Sequence, residues 1–341
     1  WNWWVQLIRC NLMLACDSEA PLVSGWMHDY GEQLLLNASV PDFLGTASRA
    51  HNLYPEMNAA AAWKASEGFP DVTFFARAGG LRSPSVTRMF WLGDQLTSFD
   101  ACDGLQSAII AAMSGGLSGW SITHSDLGGF TMIDVVDIAG LKYTRSANLL
   151  VRWFEVGAFL NTLYRSHPGL IPNSSAQPWD ALILGHTKRL TDLFRALRPY
   201  RESLLAEAES TGLPPVRHGL LVYPEDPTWF VQRRAVPLSE LAHCRRGSEI
   251  GLQQFFFGDE VLVAPVLVAG KDIVDVYLPD GVWAHLWTGQ ILHGPQHLNS
   301  WPAPLGEAPV FYRVDEAAKW PRFFKSLSSR FGRQAVPTAF V

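Results

Sequence analysis

The sequence predicts an α/β protein: a (β/α)8 barrel followed by a small all-β sandwich domain. Short apolar runs alternate with helical patterns through about residue 215, and several of those runs end in polar or charged clusters. From about residue 251 the pattern changes to short β runs punctuated by Gly and Pro. Alternating strands and helices imply a parallel sheet with crossover connections. Chemistry gathered just past strand ends is what the C-terminal face of a barrel shows.

In chain order, residues 1–20 (WNWWVQLIRCNLMLACD and on) open in tryptophans and match no barrel pattern; they read as a chain cut mid-domain. The barrel portion is expected over 21–250. Leu22-Val23 and Gly25-Trp26-Met27 form an apolar run that stops at Asp29. Thr73–Arg77, Met89–Leu92 and Gly119–Thr123 read as short strands. Leu105–Met113 and Ala147–Phe159 carry apolar residues at three- and four-residue spacing and read as helices. Asp180–Leu197 predicts a longer amphipathic helix closed by Pro199. PLSELAHCRRGSE, inside 231–250, reads as an inserted loop. The sandwich is expected over 251–316, through GDEVLVAPVLVAG, DIVDVYLPDGVWAHLWTG and APLGEAPVFYR. The tail, 317–341, holds AAKWPRFFKSLSSRF, which predicts a terminal helix.

With 341 residues, 48% of them hydrophobic, the chain can bury a sizeable core without staples. A net charge of −5 and no basic run argue against a nucleic-acid partner held through phosphates. No apolar run reaches membrane-spanning length, so no membrane partner is expected. The four cysteines sit at irregular spacing that suggests neither a disulfide framework nor a zinc site, which favours a cytoplasmic or organellar compartment. The 14 tryptophans fit core packing or sugar stacking, and composition does not choose between them.

Two carboxylates stand out: Asp29 in MHDYGE and Asp94 in FWLGDQ, each at the end of an apolar run. Glycosidic hydrolysis needs one carboxylate to attack or stabilise the anomeric carbon and another to protonate the leaving oxygen. An apolar wall such as Phe90-Trp91 would favour the protonated form of the second. The bland alternative is a pair of turn or helix-cap aspartates. FFARAGG puts Arg77 at a strand end; ITHSDLGGF offers His124, Asp126 and Phe130 around a Gly-Gly turn; YRSHPG offers Arg165 and His167. HSD has no second His at helical spacing, so no metal is expected.

Together these words resemble glycoside hydrolase family 31, the retaining α-glucosidase family, and within it the sulfoquinovosidase branch. GWMHDYGE, FFARAG…FWLGDQ…DGLQSAI, HSDLGGFT, RSANLLVRWFE, RSHPG, GLPPVRHGLLVYPEDP, GDEVLVAPV, WTG and PVFYR follow in family order from about Gly25 to about Arg313. The resemblance implies Asp29 as nucleophile and Asp94 as general acid/base, acting on an α-glucoside or α-sulfoquinovoside without metal or organic cofactor. It implies that Arg77 orients Asp94 and contacts the sugar, and that Trp91 and Phe130 wall the subsite. Asp126 and His167 would complete substrate binding, with Glu32 and His124 in support. The sulfoquinovosidase branch usually carries Tyr where this chain has Phe130, and HPGLIPN departs from its usual HEGN pattern. The family places the nucleophile on the fourth barrel strand, so three strands and an N-terminal β-sandwich are expected ahead of Gly25. A truncated, inactive or carbohydrate-binding-only relative is the alternative reading.

Overall fold

The computed structural model describes every residue except 15–17, 136–140, 170, 172, 174, 231–253 and 334–341. The insert expected within 231–250 therefore lies outside the described residues. The chain divides into two compact units, one of Trp1–Gly93 with Ser118–Thr123, the other of Asp94–Leu117 with His124–Val341.

In the first unit, β1 (Gly25–His28), β2 (Thr73–Ala76) and β3 (Met89–Trp91) run parallel. Their register pairs His28 with Ala76 and Ala76 with Phe90. Asp29 and Arg77, each one residue further on, therefore emerge side by side at the carboxyl ends of their strands. The sheet order is β1-β2-β3-β4, with β4 at Thr123–His124. Strand structure here is shorter than the predicted Gly119–Thr123 because Gly119 adopts φ 92° and turns the chain. The Ile122 carbonyl still accepts from the Phe90 N–H at 2.9 Å.

A helix absent from the sequence reading, α2 (Ala47–Ala65), covers this sheet. Thr46 caps it through the Arg49 N–H at 3.2 Å. Its alanines Ala59, Ala61, Ala62 and Ala65 pack with Val72 and Phe74. The opening residues join that core: α1 (Asn2–Leu7) continues into a wider helical turn over Ile8–Leu14, and Met13 is wholly buried. Small residues on α2 let α1 approach closely, and such low-hydrophobicity faces leave a weak periodic signal.

In the second unit, α3 (Leu105–Leu117) and α4 (Ala147–Leu160) occupy their predicted segments. Between them, β5 (Ile133–Val135) and β6 (Leu141–Tyr143) form an antiparallel pair. The helix expected from Asp180 starts at Leu184, as α5 (Leu184–Ala196). Asp180 spends its carboxylate on the Gln177 N–H at 2.7 Å, holding a turn instead. Pro199 does more than close α5, since it lies in the first turn of α6 (Arg198–Thr211), where its missing N–H is harmless.

Among the described residues the C-terminal module forms a six-stranded antiparallel sheet, ordered β11-β10-β12-β9-β8-β7. Its strands are β7 (Val216–Arg217), β8 (Phe255–Phe257), β9 (Val261–Val263), β10 (Ile273–His285), β11 (Ile291–Pro302) and β12 (Val310–Arg313). Its edge strand β7 comes from ahead of the predicted start at 251. Phe256, Leu262, Leu278, Trp283 and Phe311 form its core. The tail forms the predicted helix, α7 (Pro321–Phe331). Burial answers part of the question posed by the tryptophans: Trp153, Trp283 and Trp287 are among the largest fully enclosed side chains, whereas Trp1, Trp3, Trp4 and Trp179 are exposed.

Arg152 and Glu155 of α4 are both buried and paired at 2.9 Å. Arg152 also donates to the carbonyls of Lys271 and Ala303, at 2.9 and 2.7 Å, while Glu155 accepts from the Gly306 N–H. The pair thus satisfies backbone groups that would otherwise be orphaned where α4 meets the loops around β11. Cys10 is a free thiol.

Candidate functional site

Two clusters carry the predicted residues, one in each unit. In the first, β1 delivers Asp29 into a sharp reversal: Tyr30 has φ 63° and Gly31 φ 96°. A left-handed Tyr is strained, and such strain persists only where surrounding contacts over-determine it. Those contacts are visible. The Tyr30 N–H donates to Asp29 Oδ1 at 2.7 Å, and a Cβ on Gly31 would meet Asn58 Nδ2 of α2 at 2.8 Å.

Arg77 spans two carboxylates, with Nε 3.0 Å from Asp29 Oδ1 and NH2 2.8 Å from Glu32 Oε1. Its guanidinium lies 4.8 Å from the Tyr30 ring centroid and 5.8 Å from that of Trp91. Both donors to Asp29 engage Oδ1; Oδ2 accepts no hydrogen bond from the described residues. One carboxylate oxygen is held and the other is presented, with the side chain 24% exposed. Trp91 is 2% exposed and packs edge-on to Phe75 at 6.0 Å. The Trp91 ring lies behind the Arg77 guanidinium. His28, last residue of β1, accepts no role in charge: burial lowers its pKa, partly offset by Asn58, whose carbonyl lies 3.2 Å from Nε2.

In the second cluster, the segment bearing Asp94 is tied to the Gly-Gly turn. Thr131 Oγ1 donates to the Asp94 carbonyl at 2.8 Å, and the Phe130 and Thr131 N–H groups both donate to the Gln95 carbonyl at 2.9 Å. Gly128 and Gly129 have φ 93° and 75°. A Cβ at Gly129 would sit 2.8 Å from the Leu96 carbonyl, so only glycine lets the two segments approach this closely.

Asp126 is wholly buried and ion-paired with Arg165, which is 24% exposed. The buried carboxylate fixes that guanidinium. His124, also wholly buried, is held down at about pKa 3, chiefly by burial and secondarily by the Arg165 charge. It is neutral at any physiological pH.

His167 packs edge-on to Phe130 at 4.5 Å. Its pKa is lowered, first by burial and then by Arg165, with Asp94 pulling the other way. The Gly169 N–H donates to His167 Nδ1 at 3.3 Å, which puts the proton of the neutral ring on Nε2. Nε2–H is therefore a donor. Arg145, 2% exposed, was not anticipated as part of this cluster. Its guanidinium donates to the carbonyls of His167 and Ala176, at 2.7 and 2.8 Å, and to Gln177 Oε1 at 3.1 Å. Burial lowers its pKa to about 10, leaving it cationic at neutral pH. The only sequence signal for it was an Arg directly before the helix cap Ser146.

Among the described residues no group of three or more His, Cys, Asp or Glu is arranged to hold a metal ion. No described helix is long and apolar enough to cross a membrane.

Parallel strands ending in this chemistry, followed by an antiparallel module, define the class. The chain belongs to glycosyl hydrolase family 31: residues 1–205 match that family's TIM-barrel domain and residues 212–317 its C-terminal domain. It is 32% identical over 332 residues to a sulfoquinovosidase of Escherichia coli strain K12, covering 96% of this chain and 43% of that protein. It is 35% identical over 301 residues to a sulfoquinovosidase of Agrobacterium fabrum, covering 86% of this chain and 41% of the other. A solved sulfoquinovosidase from E. rectale, in complex with an aza-sugar inhibitor, superposes with TM-score 0.82 at 29% identity, over 97% of this chain and 45% of that one. The chain thus spans less than half the length of these relatives.

Proposed function

We propose that the protein hydrolyses α-glycosides with retention, through a glycosyl-enzyme ester on Asp29. The carboxylate Oδ2 attacks the anomeric carbon while the Asp94 carboxylic acid donates its proton to the leaving oxygen. Asp94, now a carboxylate, then takes a proton from water as that water opens the ester, restoring both groups. Such a sequence requires the two carboxyl groups to stand roughly 5–5.5 Å apart across one sugar. The observation that carries the reading is the asymmetric holding of Asp29, with Tyr30 N–H and Arg77 on Oδ1 and Oδ2 left to react.

The sugar is an α-glucoside or an α-sulfoquinovoside. Likeness to two sulfoquinovosidases supports the second, while Phe130 brings no phenol to a sulfonate. Arg165 and the His167 Nε2–H are the donors suited to ring hydroxyls. Aryl α-glucoside and aryl α-sulfoquinovoside, assayed side by side, read the preference directly. Asp29→Ala is expected to abolish turnover of whichever is cleaved, and a 5-fluoroglycosyl fluoride should label Asp29. Undiminished hydrolysis by the variant, or label on another residue, would overturn the proposal.

A further inference from the structure

The C-terminal module holds a cavity of about 630 Å³ between the β10–β11 turn and α7. Its charges are one-sided in a chain whose net charge is −5. Ile291, Val314 and Pro321 contribute apolar lining; Arg322, Lys325 and Arg333 contribute cations; no acidic residue among those described lines it.

Helical geometry puts two of these cations on the cavity side of α7. Phe324, Leu327 and Phe331 are 1%, 5% and 6% exposed and anchor one face of α7 in the module. Arg322, Lys325 and Ser329 are offset by three and four residues, so they share the opposite face. Arg333 is engaged by Glu307 at 2.5 Å, which neutralises part of its charge. Arg322 and Lys325 have no ion-pair partner among the described residues. Their like charges face the mouth of one hollow, and an entering anion relieves that repulsion. The volume falls within the range of small-molecule sites and far exceeds what an inorganic anion fills.

We infer that this cavity is an accessory binding site for a ring-bearing organic anion. The acidic group sits between Arg322 and Lys325 and the ring against Ile291 and Val314. The site is independent of Asp29 and Asp94.

Isothermal titration of the 341-residue chain with naphthalene-2-sulfonate tests this, alongside sodium sulfate and the neutral 2-naphthalenemethanol. The sulfonate should bind, should weaken as salt is added, and should bind at least 10-fold more tightly than either control. Arg322→Glu with Lys325→Glu, folded by far-UV circular dichroism, should weaken it by 10-fold or more. The same reversal at Arg195 and Arg198, elsewhere on the surface, should leave it unchanged. Absent binding, equal binding of sulfate or the alcohol, retained affinity in the Arg322/Lys325 variant, or equal loss in the Arg195/Arg198 variant would each overturn the inference.

Discussion

Thr131 Oγ1 donates a 2.8 Å hydrogen bond to the carbonyl of Asp94, joining the proposed acid's own backbone to the Gly-Gly turn. The bond touches no reacting atom, so its effect is on position alone. Thr131→Val is expected to lower kcat about 10-fold to 100-fold with little change in KM, since small misplacements of a catalytic group cost that much. Thr131→Ser keeps the donor and should keep the rate. Steady-state kinetics on the preferred aryl α-glycoside separates the two.

Arg77 works as a fork rather than a point charge, because Nε and NH2 reach different carboxylates. A lysine has one ammonium and cannot hold both in this geometry. Arg77→Lys is expected to cut kcat/KM about 100-fold, whereas Glu32→Gln, which leaves the Asp29 contact in place, should cost less than about 10-fold. Equal losses for the two would mean that Glu32 is more than support.

The buried pair of α4 governs stability. Glu155→Ala strands Arg152 among carbonyls with its charge uncompensated, a loss of about 3–5 kcal/mol. Urea unfolding should show a lower midpoint for this variant, with the slope m preserved. Replacing both residues by apolar side chains should cost less than the single change, because no lone charge remains.

Stability should fall on the acid side. Burial holds His124 at about 3 and, with the Arg333 charge second, His285 at about 4. Below pH 6.5 the unfolded chain binds protons at both while the folded chain does not, so stability drops as pH falls. The loss reaches on the order of 3 kcal/mol for each by pH 4. Glu155 acts oppositely: burial pushes it up to about 7, against the pull of Arg152, so its protonation on going from pH 7 to 4.5 favours the folded state. Two histidines outweigh this one acid. Urea midpoints measured from pH 7.5 to 4 should decline, and His285→Gln should flatten the decline. An unchanged slope in that variant would remove His285 from the account.

The sequence alone determined the strand-and-helix alternation, the carboxylates at strand ends and the all-β character of the C-terminal module. Those features rest on local periodicity and on turn chemistry, which need no long-range partner to be read. Tertiary structure decided everything that depends on register and close approach. The parallel pairing of His28 with Ala76 set Arg77 against Asp29; the buried Arg145 was drawn to the His167 loop by carbonyls distant in sequence. The helix Ala47–Ala65 escaped notice because its buried face is alanine, legible only once Phe74 and Met13 are packed on it. Trp91 and Asp126 lost direct contact with solvent for the same reason, burial being a property of neighbours and not of residue type.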